Sequence, residues 1–194
     1  MDFQSSKTKE NLARSFASEC QEGARYQFLA KMSQQQGYQY LSMIIRTLAH
    51  NEMAHAQQFF NKIVELGAND TQNIDIKAGY PFKSGDLLQV LKLEAENERQ
   101  SAEEIYPRFA SIARQEGFSD VAELFEMVAD VERTHHETLM KLGNRVENKS
   151  LYKSKSETMY KCDECGRITL GKSAPKKCPL CQMGQGYFRI DFSI

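Results

Sequence analysis

Two Cys-x-x-Cys pairs, Cys162-Asp163-Glu164-Cys165 and Cys178-Pro179-Leu180-Cys181, stand twelve residues apart near the end of a 194-residue chain. Four thiolates at that spacing close a tetrahedral site around one metal ion. Ahead of them lie two Glu-x-x-His motifs, Glu52-Met53-Ala54-His55 and Glu132-Arg133-Thr134-His135. Residues three apart on an α-helix lie about 60° apart around the axis and ~4.5 Å along it, so such a carboxylate and imidazole can bind one ion or neighbouring ions. A soft site that moves electrons, beside a hard, carboxylate-rich site suited to oxygen chemistry, points to redox work.

The elements that must position these groups are legible in the apolar spacing. Residues 5–147 hold four long helical patterns. The first carries Leu12, Phe16, Glu19, Gly23, Tyr26 and Ala30 on one stripe and stops at Gly37. The second carries Leu41, Ile45, Leu48, Glu52, His55 and Phe59 and ends at Gly67. Ser84 or Asp86 can cap the third, which carries Leu87, Leu91, Glu98, Ala102, Ile105, Phe109 and Ile112. The fourth starts at Ser119, carries Val121, Phe125, Val128, Glu132, His135, Leu139 and Leu142, and is expected to stop at Gly143. Helices of about 30 residues are ~45 Å long and suit a four-helix bundle, with a longer connection over 67–83 able to cross it.

Each stripe faces a core, yet each carries an acid in mid-helix: Glu19, Glu52, Glu98 and Glu132. An unpaired buried carboxylate costs several kcal/mol, so one per helix calls for cations among them. Two helices with Glu-x-x-His and one Glu from each of the other two resembles the ligand pattern of ferritin-like di-iron proteins. Glu94, one turn from Glu98, is the alternative on the third helix, while Glu96, Glu103 and Glu104 read as a solvated face. His50 and His136 fall off the stripes and are expected in solvent. Tyr26 and Tyr106 read as core aromatics whose hydroxyls can also reach the metal cavity.

Net charge is −1, which gives no general electrostatic case for nucleic acid or a membrane surface. Residues 151–194 carry eight Lys/Arg against four Asp/Glu, leaving 17 against 22 for the rest, so body and tail differ in sign. No apolar run reaches the ~18 residues of a membrane span. The N-terminal residues lack a basic region followed by an apolar run, so a cytoplasmic location is expected. Thiols stay reduced there, and the paired cysteines read as metal ligands. Cys20 stands alone as a small helical residue. The expected division is a bundle over 1–147, a polar linker over 148–157 and a small metal-stabilised β/loop unit over 158–194. Spacing leaves zinc and iron open in that unit; the surrounding Tyr160, Pro175, Pro179, Tyr187 and Phe188 lean toward iron.

The whole chain resembles the rubrerythrins. The matching pieces are Phe16-Ala17-Ser18-Glu19 with Tyr26, Glu52-x-x-His55, and Glu98 ahead of Ile105-Tyr106-Pro107-Arg108-Phe109-Ala110. They continue with Glu132-x-x-His135, Cys162-x-x-Cys165-Gly166, and Ala174-Pro175-x-x-Cys178-Pro179-x-Cys181. The resemblance implies a ferritin-like bundle with two irons held by Glu19, Glu52, His55, Glu98, Glu132 and His135. It also implies a rubredoxin-like unit with one iron on Cys162, Cys165, Cys178 and Cys181. The implied activity is reduction of hydrogen peroxide to water. Electrons would come from an upstream reductase or small carrier through the four-cysteine iron, in a head-to-tail homodimer. A ferroxidase or a zinc-ribbon binding module fused to a bundle are the competing readings. One position departs from the family: a further glutamate three residues after the third-helix ligand is Ser101 here. In the family that acid exchanges with the second-helix histidine, so His55 is expected to stay a ligand in both oxidation states, or Glu94 to substitute.

Overall fold

Caps and breakers divide the first part of the chain. Ser6 accepts the backbone N–H of Lys9 at 3.1 Å and opens α1 (Lys7–Gln35). Gly37, at φ +82°, turns the chain into α2 (Gln39–Leu66). Asp86 and Gln89 form a capping box ahead of α3 (Leu87–Gln100). After Ser101–Ile105 comes α4 (Tyr106–Glu116), then α5 (Ser119–Glu147). This computed structural model describes residues 2–68 and 73–190.

The third helical pattern, expected to be continuous, is broken by a π turn at Ser101–Ile105, where the N–H of Tyr106 reaches back to the carbonyl of Ser101. Pro107 explains it: proline has no N–H, and its ring crowds the carbonyl four residues before, so the preceding turn widens. The extra residue moves the buried face on by one. Tyr106 and Ala113 are buried where the unbroken pattern placed Ile105 and Ile112, which are only half-buried.

Two apolar layers fix the helix directions. One holds Leu12, Phe59, Tyr106 and Phe125; the other holds Leu29, Ile45, Leu91 and Leu139. Each of the four helical columns passes through both, with its acid between them. From the order in which each meets the layers, α1 and α5 run one way, and α2 and α3–α4 the other. The end of α2 and the start of α3 therefore lie at opposite ends of the bundle, the ferritin-like arrangement. Gly143 does not stop α5. It is buried inside the helix, where an added Cβ would come to 3.9 Å from Leu88 and Leu91, and α5 continues through it despite the ~1 kcal/mol cost of a helical glycine.

The tail forms a small antiparallel sheet of β1 (Lys153–Cys162), β2 (Ile168–Ser173) and β3 (Phe188–Ile190), in the order β2-β1-β3. β1 begins inside the stretch read as linker, because Lys153 pairs with Ser173 before the register shifts. Tyr160 and Phe188 are fully buried between the knuckles, with Cys162 and Cys178. The unit sits on the α1–α2 turn, where the Tyr38 and Tyr152 rings stack at 6.3 Å.

Candidate metal centres

Between the two apolar layers, Glu19, Glu52, His55 and Glu132 bring ligand atoms within 4.8 Å of one another, and so do Glu52, Glu98, Glu132 and His135. The two groups share Glu52 and Glu132, as a pair of ions with two bridging carboxylates requires. Nδ1 of His55 lies 3.2 Å from Glu19 and 3.1 Å from both Glu52 and Glu132. Nδ1 of His135 lies 2.9 Å from Glu52, 3.0 Å from Glu132 and 3.6 Å from Glu98. Among the described residues, the ion pairs of these four acids are with the two histidines, not with lysine or arginine.

These contacts are close without being satisfied. Oε1 of Glu52, Oε2 of Glu98, both oxygens of Glu132 and Nδ1 of His135 are buried with no aligned hydrogen bond. Buried polar atoms normally find partners. Six side chains aiming oxygen and imidazole lone pairs at two shared points is a donor set suited to iron. The electrostatics agree. Burial raises Glu19 well above the ordinary carboxylate range, with Glu132 and Glu52 adding to it against His55. Burial, then Glu132 and Glu22, does the same to Glu98. Burial opposes charge on His55, yet Glu132, Glu19 and Glu52 push it up to about 12; His135 reaches about 12 through Glu132, Glu52 and Glu98. The same imidazoles hold Glu132 down at about 2 against its burial. Carboxylates competing for positive charge in a dry layer are what a pair of bound cations resolves.

Tyr26 donates to Glu98 and Tyr106 to Glu19, so both hydroxyls reach the cluster. Of the two candidates on the third helix, Glu98 is in the cluster. Glu94 is buried on Arg25, whose Nε is 2.9 Å away. Ser101 is buried in the π turn. His50 is exposed, but His136 is not simply solvated: it is half-buried and donates from Nδ1 to the carbonyl of Ala95 at 2.7 Å.

Sequence reasoning missed three residues here. Glu22 is buried and pairs with Arg25 at 2.8 Å; its spacing of three from Glu19 was the available signal. Arg25 ties that acid to Glu94. Asn51 sets its side-chain amide 3.2 Å from Nε2 of His135, on the ring edge opposite the cluster, where the outer partner of a metal-bound imidazole belongs.

In the tail, the sulfurs of Cys162 and Cys181 are 3.7 Å apart, and those of Cys165 and Cys178 are 3.6 Å apart. That is far beyond a disulfide's ~2.05 Å and close to the ~3.8 Å edge of a tetrahedron with ~2.3 Å metal–sulfur bonds. The knuckles close through Gly166 N–H to the Cys162 carbonyl at 2.8 Å and Gln182 N–H to the Cys178 carbonyl at 2.9 Å. Gln182 takes φ +63°, a conformation easier for glycine. The backbone N–H groups of Cys181 and Leu180 point at the Cys178 sulfur and hold its thiol down at about 6.

A ferritin-like bundle with a layer of carboxylates and imidazoles, joined to a four-cysteine unit, defines a non-haem di-iron protein with an appended rubredoxin-like domain. The family model for rubrerythrin matches residues 10–143, and that for the rubrerythrin rubredoxin-like domain matches residues 160–189. The chain belongs to the rubrerythrin family. It is 38% identical to a rubrerythrin of Clostridium perfringens, over 95% of this chain and 94% of that one. Rubrerythrin of Nitratidesulfovibrio vulgaris is 28% identical over 95% and 94% of the two chains. The fold matches partially reduced nigerythrin with a TM-score of 0.64 at 24% identity, covering 98% of this chain and 94% of that one. The cofactors of the present chain are a pair of irons in the bundle and one iron in the four-cysteine unit, and it is an iron-handling oxidoreductase. No helix among the described residues is long and apolar enough to cross a membrane.

Proposed function

We propose that this chain is a non-haem di-iron peroxidase that reduces hydrogen peroxide to water and protects against oxidative stress. The observation that carries the reading is the convergence of four carboxylates and two imidazole Nδ1 atoms in one buried layer of a chain that also holds a four-thiolate site. Glu19, Glu52, His55, Glu98, Glu132 and His135 would hold the two irons, and Cys162, Cys165, Cys178 and Cys181 the third. Bound in ferrous form, the pair supplies the two electrons that cleavage of the O–O bond consumes. Tyr26 and Tyr106 keep their protons, because burial and the acids beside them raise both hydroxyls well above the usual phenol range. Each therefore donates to one oxygen of Glu98 or Glu19 and fixes that carboxylate's orientation. The apolar layers on either side keep bulk water from the cluster.

Residues 1–147 form the catalytic unit in this reading and 158–194 the electron entry, with 148–157 joining them. The tail rests near Gln39, thirteen residues before Glu52 on α2, or about 20 Å along the axis. Electron tunnelling falls off exponentially with distance. This supports a head-to-tail homodimer in which one subunit's four-cysteine iron serves its partner's di-iron site. An upstream reductase or small carrier reduces that iron, and a cytoplasmic setting keeps the ligand thiols reduced.

The test is iron content per chain combined with stopped-flow reoxidation of anaerobically reduced protein. Iron in both centres, a red oxidised tail, fast reoxidation by hydrogen peroxide and slow reaction with oxygen are expected. Faster reaction with oxygen and a stored ferric core would overturn the reading in favour of a ferroxidase. A colourless zinc tail would favour a binding module.

A further inference from the structure

A cavity of about 280 Å³ lies between α1, the crossover connection and the π turn. Its inner wall includes Tyr106, whose hydroxyl is bonded to Glu19 of the cluster. It is larger than the proposed substrate needs. Hydrogen peroxide has two heavy atoms, whereas this space is about nine times the ~30 Å³ share of a liquid water molecule. It falls just short of the ~300 Å³ at which small-molecule pockets begin.

The walls are divided by chemistry. Ile105, Phe109 and Pro81 give an apolar side. Most of the rest of the lining is polar or charged and includes the paired Glu22 and Arg25, with Asn97, Gln100 and Arg108. Tyr80 donates to the Arg14 carbonyl at 3.4 Å and holds the crossover segment across the cavity. Ser101 opens the inner end, since a larger side chain on the π turn would fill it.

We infer that this cavity binds the organic part of an alkyl hydroperoxide, ROOH, and that such compounds are substrates alongside hydrogen peroxide. The inference rests on the peroxidase reading and names a substrate class for it. The apolar residues take the alkyl group, and the hydroperoxide oxygens lie toward Tyr106, on the side of the cluster. In the reaction, the O–O bond breaks and takes up the two electrons released when the reduced metal pair is oxidised, together with two protons drawn from bulk solvent through the cavity, one to each oxygen. The products are ROH and water.

The experiment compares reoxidation of the anaerobically reduced, iron-loaded full chain by hydrogen peroxide and by tert-butyl hydroperoxide, in the wild type and in Ser101→Leu. Crystals of the oxidised, iron-loaded wild type are soaked separately in tert-butanol. We expect both hydroperoxides to reoxidise the wild type. The rate ratio of hydrogen peroxide to tert-butyl hydroperoxide should rise by about tenfold or more in the variant, the range expected for steric exclusion from a pocket. Density for tert-butanol should appear against Ile105 and Phe109. If hydrogen peroxide works but tert-butyl hydroperoxide does not, or the ratio is unchanged in a folded variant, the cavity is only a water-filled vestibule and the inference falls. If the variant does not fold, an empty cavity in the soaked wild type overturns it. If neither oxidant works, the peroxidase reading itself falls.

Discussion

His135 holds its Nδ1 2.9 Å from Oε1 of Glu52, across the seam where α5 faces α2. The same nitrogen lies 3.0 Å from Glu132 and 3.6 Å from Glu98, and it makes no aligned hydrogen bond to any of the three. A single N–H points along one line and cannot serve three acceptors. An ion among these atoms serves all of them, which is why the arrangement reads as a ligand set and not as a buried ion pair.

Glu98→Gln separates metal binding from folding. Burial, with Glu132 adding to it, raises the Glu98 carboxyl well above the ordinary carboxylate range and so favours its neutral form in metal-free protein. Glutamine matches that neutral acid in shape and can still accept from Tyr26. The unfolding free energy of chelated protein should change by about 1 kcal/mol or less. Iron affinity should fall by about 100-fold or more, at or beyond the 10–100-fold that outer partners of metal ligands command. Urea melts of chelated samples and iron titration check the two halves.

The metal-free protein should lose stability as pH rises. Burial holds Glu22 at about 8, with Glu52, Glu132 and Glu94 adding to it against Arg25. Its ordinary value is 4.5, so between those limits the native state binds more protons than the unfolded chain, and stability falls with rising pH. His55 and His135, at about 12, add the same sign above their ordinary 6.5. Glu132, held at about 2, acts in the opposite sense, through stability lost only as pH falls below its ordinary 4.5. Chelated protein should therefore have a higher urea midpoint near pH 5.5 than near pH 8.5, and Glu22→Gln should flatten the difference. Iron loading should reverse the slope, because ligands shed protons when they bind metal. Equal midpoints for chelated protein at the two pH values would refute this account.

Arg25 pairs with two buried acids beside the cluster, Glu94 at 2.9 Å and Glu22 at 2.8 Å. Arg25→Ala leaves both without that cation and should cost about 3–5 kcal/mol. Arg25→Lys should recover only part of it, since an ammonium cannot reproduce the fork that grips Glu94 through Nε and a terminal nitrogen. Chemical denaturation of the three proteins at one pH decides the order.

Much of this architecture is legible in the residues alone. Glu19, Glu52, Glu98 and Glu132 break an otherwise apolar period of 3.6, and that conflict with burial is a local signal. The four cysteines announce themselves by spacing. What escapes are effects that depend on partners distant in sequence or on backbone geometry. The π turn is set by Pro107 acting on the turn before it, and it moves the buried face from Ile105 to Tyr106. Gly143 resembles a terminator because the burial that carries α5 through it comes from packing against another helix. Glu22 carries no signal beyond its spacing from Glu19, and Glu94 reads as an alternative ligand, until Arg25 joins the two. His136 resembles a solvated side chain because its acceptor is a backbone carbonyl of α3.

Gly186 should prove to be what lets the four-cysteine unit sit on the bundle. A Cβ there would stand 1.7 Å from the carbonyl oxygen of Gly37, in the α1–α2 turn, and backbone cannot yield as a flexible side chain would. Tyr152 donates to the Gly186 carbonyl at 3.4 Å from the same junction. Gly186→Ala must therefore separate the two surfaces, an overpacking cost of about 1–3 kcal/mol. The four sulfurs are not at this contact, so the variant should keep its red four-cysteine iron while protease cleavage near residues 148–152 rises by about tenfold, the population change that ~1.4 kcal/mol brings. Gly184→Ala is the matched control: its φ is −66° and a Cβ there meets nothing within 4 Å. If the two variants are cleaved at the same rate, the close approach of Gly186 to Gly37 does not hold the unit in place.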